Sequence, residues 1–306
     1  MNTVTTTIDQ EACTGCGLCL RTCPSSTFSM RGGKAAVTGD RCLACGHCQA
    51  VCPAGAVRVA ALDPDTSAWE TFSSDEAWLA HGRFDLAHLV RLMRSRRSCR
   101  NYKDDPVDPA VLRDLCRIGA TAPSGTNSQA WAFTVLPERR DVEVLALAIA
   151  EFFRRLNRMA EKAWLRGLMR LLGKPLLSEY RREYYDAVAQ ALDEWDRDGT
   201  DRLFHNAPAV IVVSTRPGAS CPAEDALLAT QNMLLAAHAM GLGTCLIGYA
   251  VAAMGKDATI RQRIGIPANE TVHAVLALGH PNERYQRVAG RKRLLMRAFR
   301  AGSPES

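Results

Sequence analysis

The 306-residue sequence contains no apolar run that approaches the roughly eighteen residues needed by a membrane-spanning helix. Its first ten residues are polar and rich in threonine, and they lack the basic and apolar regions of a secretion signal. No G-x-G-x-x-G segment follows a predicted strand, so we expect no separate dinucleotide-binding domain. These absences predict a cytoplasmic protein without membrane association.

Cysteine is plentiful but unevenly distributed along the chain. Eight of the twelve cysteines lie before residue 53, in a segment too short for a large apolar core. They form the pattern C-x-x-C-G-x-C-x-x-x-C-P twice. The first motif contains Cys13, Cys16, Cys19 and Cys23, and the second contains Cys42, Cys45, Cys48 and Cys52. We therefore expect a small N-terminal domain that is stabilised by metal.

The repeated motif resembles that of bacterial ferredoxins with two [4Fe-4S] clusters. Three closely spaced thiolates can bind three corners of one cluster, and the fourth cysteine, which precedes a proline, reaches the neighbouring cluster. This rule assigns Cys13, Cys16, Cys19 and Cys52 to one cluster, and Cys42, Cys45, Cys48 and Cys23 to the other. Zinc is disfavoured because it usually takes two separated C-x-x-C pairs. Disulfides are disfavoured because crowded cysteines in an intracellular-looking chain are typical of metal ligands.

Four further motifs follow in order between residues 86 and 293. Leu86, Leu89, Val90 and Met93 have helical spacing, and this predicted helix runs into R-R-S-C-R-N-Y at residues 96–102. A-P-S-G-T-N-S-Q-A-W occupies residues 122–131, G-L-G-T-C-L-I-G occupies residues 241–248, and R-K-R occupies residues 291–293. The set resembles the nitroreductase family, with departures at Cys99, Ala130 and Tyr249. The resemblance implies an FMN-binding α+β domain that forms a homodimer.

The same resemblance implies roles for individual residues. Arginine suits a dianionic phosphate because its guanidinium group is planar and permanently charged. The family motifs place Arg100 beside the N1–C2=O edge of the flavin ring, and Ser98 near the phosphate or ribityl chain. They place the backbone of Ile247 and Gly248 near flavin N5 and O4. The predicted phosphate ligands are Arg96, Arg97, Arg291 and Arg293, and the predicted contacts from the other subunit are Pro123, Ser124, Gly125, Asn127 and Gln129.

Apolar and β-branched runs predict strands at 131–136, 209–215 and 271–279, besides a short strand pair and a hairpin in the N-terminal segment. Asp108 and Pro109 predict the start of a helix that continues through Ile118. Residues 223–240 predict a long apolar helix. Between residues 141 and 198 we expect two or three helices, split near residues 173–175, that cover the flavin pocket or the dimer interface. The basic amphipathic part of this region could instead lie on a membrane surface.

The net charge of +6 does not imply a nucleic-acid partner. Two oxidised clusters would carry about −2 each, and a flavin phosphate would add about −2, so the assembled protein would be near neutrality. We therefore expect much of the basic excess to bind the protein's own anionic cofactors.

The predicted organisation is a two-cluster ferredoxin domain at residues 1–62, a linker at 63–85, and a nitroreductase-like FMN domain at 86–306 with a variable helical insertion at 141–200. Scattered aromatic residues predict that the linker packs against the protein. The predicted function is reduction of a small organic acceptor, with electrons passing between the clusters and FMN. The donor would be NAD(P)H, or a ferredoxin or another redox protein. Two alternatives remain open: an electron-transfer module without its own small substrate, and another flavin chemistry such as reductive dehalogenation.

Overall fold

The computed structural model describes residues 3–299, and its N-terminal part contains two antiparallel strand pairs. The predicted strand pair and hairpin are both confirmed. Two short helices begin directly after Gly17 and Gly46, whose φ angles of 69° and 74° lie in the left-handed region that favours glycine. The elements are β1 (Thr6–Ile8), which pairs with β4 (Val57–Val59), β2 (Phe28–Arg31), which pairs with β3 (Lys34–Val37), α1 (Leu18–Thr22) and α2 (His47–Ala50).

Residues 63–85 connect the two parts of the chain and are anchored on helix α4 (Pro109–Gly119). The backbone N–H groups of Glu70 and Thr71 donate hydrogen bonds to the carboxylate of Asp114 at 3.0 and 2.8 Å. The Thr71 hydroxyl donates a third at 2.7 Å, and Arg117 Nη1 donates a fourth at 3.1 Å. The Asp114 side chain is fully buried, so residues 70 and 71 are held against α4. Most of the connection is exposed, and Phe72 and Trp78 are 40% and 80% exposed, so the prediction that its aromatic residues pack against the protein is wrong for these two side chains.

The C-terminal part is built on a four-stranded antiparallel sheet with the order β5-β6-β8-β7. The three predicted strands are confirmed with their predicted bounds. The fourth strand corrects the prediction of a turn at residues 241–248, because residues 243–246 pair with β8 along its free edge. The strands are β5 (Trp131–Leu136), β6 (Ala209–Thr215), β7 (Gly243–Leu246) and β8 (Thr271–Gly279).

Helices cover both faces of this sheet, and every residue of β6 is buried. Val210 and Val212 belong to the apolar cluster on the α5 side, whereas Ile211 and Val213 belong to the cluster on the α4 and α9 side. The predicted α+β class is therefore confirmed. Among the helices of residues 3–299, none combines the length and apolarity that crossing a membrane requires. The remaining helices are α3 (Leu86–Ser95), α5 (Arg139–Glu161), α6 (Ala163–Leu171), α7 (Leu176–Glu183), α8 (Tyr185–Asp198), α9 (Pro222–Ala239), α10 (Gly248–Lys256) and α11 (Ala258–Arg263).

The expectation of two or three helices between residues 141 and 198 is wrong, since the structure has four, from α5 to α8. Two of the breaks fall at Lys162 and Tyr184, where neither glycine nor proline marks the end of a helix. The α5 helix is also part of the core, because Leu145 and Ile149 are fully buried against the sheet.

Candidate functional site

The two predicted sets of cluster ligands line two separate cavities in the N-terminal part. One cavity, of about 320 Å³, is lined by Cys13, Cys16, Cys19 and Cys52. The other, of about 300 Å³, is lined by Cys23, Cys42, Cys45 and Cys48. Because α1 and α2 pack against each other, the fourth cysteine of each motif lies beside the first three of the other motif.

The chemistry of these cavities fits iron–sulfur clusters. All eight cysteines are free thiols. Backbone N–H groups of Ala44 and Ala56 donate to the sulfur atoms of Cys42 and Cys52 at 3.2 and 3.3 Å, as N–H groups do at cluster thiolates. Burial raises the pKa of Cys48 to about 11, and a coordinated iron would displace that proton. In the described part of the chain, no group of three or more His, Cys, Asp or Glu side chains is arranged to bind a single metal ion.

A large open cavity of about 920 Å³ lies between α3, the start of β7 and residues 281–289. Its wall is strongly basic. Within residues 3–299, none of its arginines forms an ion pair with an acidic side chain. The arginines that line it are Arg91, Arg94, Arg96, Arg97 and Arg287. Sequence analysis selected Arg96 and Arg97 from the family motif, but the other three lie outside the motifs.

The residues of this basic cavity fit a bound phosphate. Burial, followed by repulsion from Arg291 and Arg97, lowers the pKa of Arg96, so a partly buried cation lies within the field of other cations. A bound phosphate dianion would attract all of these arginines and so offset their mutual repulsion. Thr244 also lines the cavity, and its buried hydroxyl oxygen has no hydrogen-bond partner among the described residues. Buried polar groups normally have partners, so Thr244 is a further candidate ligand that sequence analysis missed.

The other predicted phosphate and ring ligands are not among the residues that line this cavity. Ser98 forms a bridge with Thr244 at the edge of β7. Burial raises the pKa of the Cys245 thiol, and the positive charge of Arg100 opposes this rise. Arg100 therefore lies close to Cys245. Arg293 is exposed to solvent.

The turn that is predicted to approach flavin N5 forms the start of α10. The N–H of Ile247 already donates to Val275 O at 2.8 Å, so it is engaged within the sheet. Gly248 is the first residue of α10, and its N–H has no partner inside the helix. A Cβ atom at Gly248 would meet no protein atom within 4 Å. The protein itself therefore leaves room at this position, as a bound ring would require.

The predicted flavin loop at residues 123–129 does not line the basic cavity of its own chain. Asp225, at the start of α9 and only 2% exposed, holds the loop by accepting hydrogen bonds from Gly125 N and Ser128 Oγ at 2.8 and 3.2 Å. A Cβ at Gly125 would approach Cys221 Sγ to 2.9 Å, which explains the glycine. Sequence analysis missed Asp225, whose only signal is its position in the first turn of a predicted helix.

This loop contacts the second cysteine motif directly. Asn127 Nδ2 donates to Leu43 O at 3.0 Å and to Ala44 O at 3.1 Å. Asn127 Oδ1 accepts a hydrogen bond from Gln129 Nε2 at 3.0 Å. The loop that the family motif assigns to the flavin is therefore joined to the polypeptide that lines a cysteine cavity.

An apolar pocket of about 190 Å³ lies between α5 and α8, beside the start of α10. Phe153, Trp195 and Tyr249 are among its lining residues. The rings of Phe153 and Tyr249 meet edge to face with centroids 5.7 Å apart. Because Tyr249 directly follows Gly248, this pocket adjoins the position predicted for the flavin ring.

Comparisons with known proteins agree with this division of the chain. The model of the nitroreductase family matches residues 93–280, and that of the 4Fe-4S dicluster domain matches residues 5–53.

Two curated relatives and one solved structure cover most of the C-terminal part. The chain is 26% identical over 203 residues to a putative NADH dehydrogenase/NAD(P)H nitroreductase of Archaeoglobus fulgidus, covering 65% of this chain and 88% of that protein. It is 26% identical over 213 residues to a 4-nitrobenzoate reductase of a Nocardioides species, covering 63% and 81%. A nitroreductase from Desulfitobacterium hafniense, crystallised with bound FMN, has a TM-score of 0.50 and 21% identity, covering 69% of this chain and 97% of that one. This structural likeness shows the fold.

Proposed function

The chain belongs to the nitroreductase family and carries a 4Fe-4S dicluster domain, and we propose that it passes electrons between two [4Fe-4S] clusters and FMN to reduce a small organic acceptor. It is an FMN-dependent oxidoreductase. The observation that carries the proposal is the contact of Asn127 with Leu43 and Ala44, which joins the flavin loop to a cysteine cavity. Bound FMN can accept electrons singly and release them in pairs, which one-electron carriers require of their partner.

The basic cavity supports phosphate binding by Arg96 and Arg97, with Arg291 close enough to repel Arg96 and Ser98 bridged to Thr244. Arg293 is proposed as a further ligand from the family motif alone. Arg100 would place a cation at the pyrimidine edge of the flavin ring, where reduction adds negative charge. The free N–H of Gly248 would face the opposite, N5 side. Thr244 would add a hydroxyl donor near the phosphate end, because its buried oxygen has no protein partner among the described residues.

A homodimer completes this proposal. Pro123, Ser124, Gly125, Asn127 and Gln129 lie apart from the basic cavity of their own chain, and a second copy would bring them to it. Exposed apolar side chains support such an interface, since large apolar patches usually mark protein contacts. In the described C-terminal segment Leu294, Leu295, Met296 and Phe299 are at least 71% exposed, and Leu227 and Leu228 on α9 are about half exposed.

The acceptor is proposed to be a flat, mainly apolar molecule such as a nitroaromatic compound, a quinone or an activated alkene. The apolar pocket beside Tyr249 supports this class, since its lining is aromatic and aliphatic. The relative named 4-nitrobenzoate reductase supports it as well. The dicluster domain favours a ferredoxin-type protein as electron donor, and NAD(P)H remains the alternative that the names of several relatives indicate.

Anaerobic turnover tests this proposal against an electron-transfer module that has no substrate of its own. Purified protein would be reduced with dithionite, freed from excess reductant, and mixed with a panel of nitroaromatic compounds, quinones and alkenes. We expect at least one acceptor to be reduced in an amount that matches the electrons stored in the protein, with flavin and cluster absorbance both returning to the oxidised form. Reoxidation by a redox protein, but by no small molecule of the panel, would favour the electron-transfer module instead.

A further inference from the structure

We infer that the cluster held by Cys42, Cys45, Cys48 and Cys23 is the one that exchanges electrons with the flavin, and that Asn127 is the residue that positions it. This inference rests on the proposed function, because it specifies the route that the electrons take. Nothing in the motif comparison assigns Asn127 a role toward the cluster domain.

The two cysteine cavities are not equivalent with respect to the C-terminal part. Within residues 3–299, the two hydrogen bonds of Asn127 are the only ones that join residues 1–62 to residues 86–299. Both end on Leu43 and Ala44, which lie between Cys42 and Cys45 of the second motif. The loop of the first motif makes no such bond among the described residues. The second-motif cavity is therefore the one in direct contact with the flavin loop.

A continuous chain of hydrogen bonds runs from a cluster ligand to a predicted flavin contact. The Ala44 N–H donates to Cys42 Sγ at 3.2 Å, and the Ala44 carbonyl accepts from Asn127 Nδ2 at 3.1 Å. Asn127 Oδ1 then accepts from Gln129 Nε2 at 3.0 Å. Electron tunnelling decays less steeply through covalent and hydrogen bonds than across a gap, so this chain is a favourable route.

The backbone on both sides of the contact is held in an uncommon conformation. Ala44 has a φ of 50° and Asn127 a φ of 55°, and Thr126 and Gln129 are also left-handed. Asparagine tolerates this region, whereas alanine rarely adopts it, so the surrounding contacts must maintain it. Strained backbone of this kind is often found where a functional geometry is held in place. The carboxamide of Asn127 is suited to this position because it both donates to the two carbonyl groups and accepts from Gln129.

The redox step balances with the cofactors of the proposal. On this route one electron at a time would pass from the reduced second-motif cluster to the flavin of the partner subunit, and the first-motif cluster would resupply the second. Two such transfers, together with two protons from solvent, would supply the two electrons of full flavin reduction. The reductant would be a low-potential one-electron donor of the ferredoxin class, and the first-motif cluster, whose loop makes no hydrogen bond to residues 86–299 among the described residues, is left to receive its electrons.

The test uses the full-length holoprotein and the variant Asn127→Ala, with a reduced two-cluster bacterial ferredoxin as the donor. Stopped-flow absorbance would follow the clusters and the flavin separately. The quantity compared is the rate of flavin reduction by ferredoxin divided by its rate with dithionite in the same preparation, which corrects for any change at the flavin itself. We expect this ratio to fall about tenfold, since two hydrogen bonds that hold the loop in register are lost.

Matched variants separate positioning from a general loss of structure. Asn127→Gln keeps the carboxamide and should recover part of the ratio, whereas Asn127→Asp places a carboxylate against two carbonyl oxygens and should not. Asn232→Ala removes an asparagine whose side chain, among the described residues, donates to Thr121 and makes no hydrogen bond to the cluster domain, so it should leave the ratio at the wild-type value. Hydrogen–deuterium exchange, which needs no turnover, should increase at residues 42–48 in Asn127→Ala but not in Asn232→Ala.

An unchanged ratio in Asn127→Ala, or an equal fall in Asn232→Ala, would overturn the inference while the proposed function stands. A wild-type protein whose clusters accept electrons from ferredoxin but never pass them to the flavin would overturn the proposed function itself.

Discussion

Replacing Asp114 by asparagine should release the segment that leads from the cluster domain to the flavin domain. The carboxylate of Asp114 is fully buried and accepts hydrogen bonds from the backbone of Glu70 and Thr71, from the Thr71 hydroxyl and from Arg117. In Asp114→Asn the charge is lost, and the new NH₂ group faces donors. Hydrogen bonds to charged groups contribute about 1.5–3 kcal/mol each, so we expect the local free energy of opening to fall by about 2–4 kcal/mol.

The same interaction predicts a pH dependence. Burial alone would raise the pKa of Asp114, but hydrogen bonds from Thr71 and from the Glu70 backbone outweigh burial and hold the pKa below its usual range. A group with a lowered pKa in the folded state stabilises that state fully above its unfolded pKa, which for aspartate is about 3.9. The anchoring of residues 70 and 71 should therefore persist at neutral pH. It should be lost below about pH 4, as the pH falls through the lower folded-state value.

Hydrogen–deuterium exchange and limited proteolysis measure this local opening directly. The amides of Glu70 and Thr71 should exchange faster in Asp114→Asn, and cleavage within residues 63–85 should become faster. Asp108→Asn is the matched control, because Asp108 caps the same helix through Ala110 N and asparagine caps a helix equally well. If the exchange of residues 70 and 71 is the same in both variants, Asp114 does not anchor the connection and this reasoning is refuted.

Three further predictions concern the cofactor sites. Cys23→Ser should lower the iron content from about eight to about four atoms per chain. It should remove the same spectroscopic signal as Cys45→Ser, since both residues are assigned to one cluster. Loss of the other cluster's signal would refute the crosswise assignment. Arg96→Ala should weaken FMN binding by the loss of one charge-assisted contact, about 1.5–3 kcal/mol, measured by fluorescence titration, whereas Arg140→Ala at the surface should not. Arg100→Ala should leave reduction of the clusters intact but shift full reduction of the flavin to a lower potential. A spectroelectrochemical titration measures this shift. If the potential is unchanged, Arg100 does not lie beside the flavin ring.

Much of the architecture could be predicted because it depends on local patterns. The strands β5, β6 and β8 are apolar, β-branched runs, and periodicity was sufficient to predict them. The β7 strand was missed because it has only four residues, begins with a glycine and is defined by its pairing with β8. The break at Lys162 was missed because no local residue signals it.

The contacts that organise the site could not be predicted, because they join residues far apart in sequence. Asn127 and Leu43 are 84 residues apart, and Thr71 and Asp114 are 43 apart. The aromatic residues of the linker predicted packing against the protein, but Trp69 stacks on Phe72 within the linker itself, and Trp78 is 80% exposed. The anchor itself is a buried carboxylate, however, and nothing in the sequence distinguishes Asp114 from an exposed helical aspartate.

The central claim is that electrons reach the flavin through the cluster domain, and removal of that domain tests it most directly. A chain that begins at Trp69 keeps Glu70 and Thr71, so the hydrogen bonds to Asp114 are preserved and every flavin motif is retained. We predict that this protein binds FMN and is reduced by dithionite, but loses the rapid reduction by a ferredoxin-type donor that the full-length protein shows. Equal rates of flavin reduction by that donor in the two proteins would contradict the account.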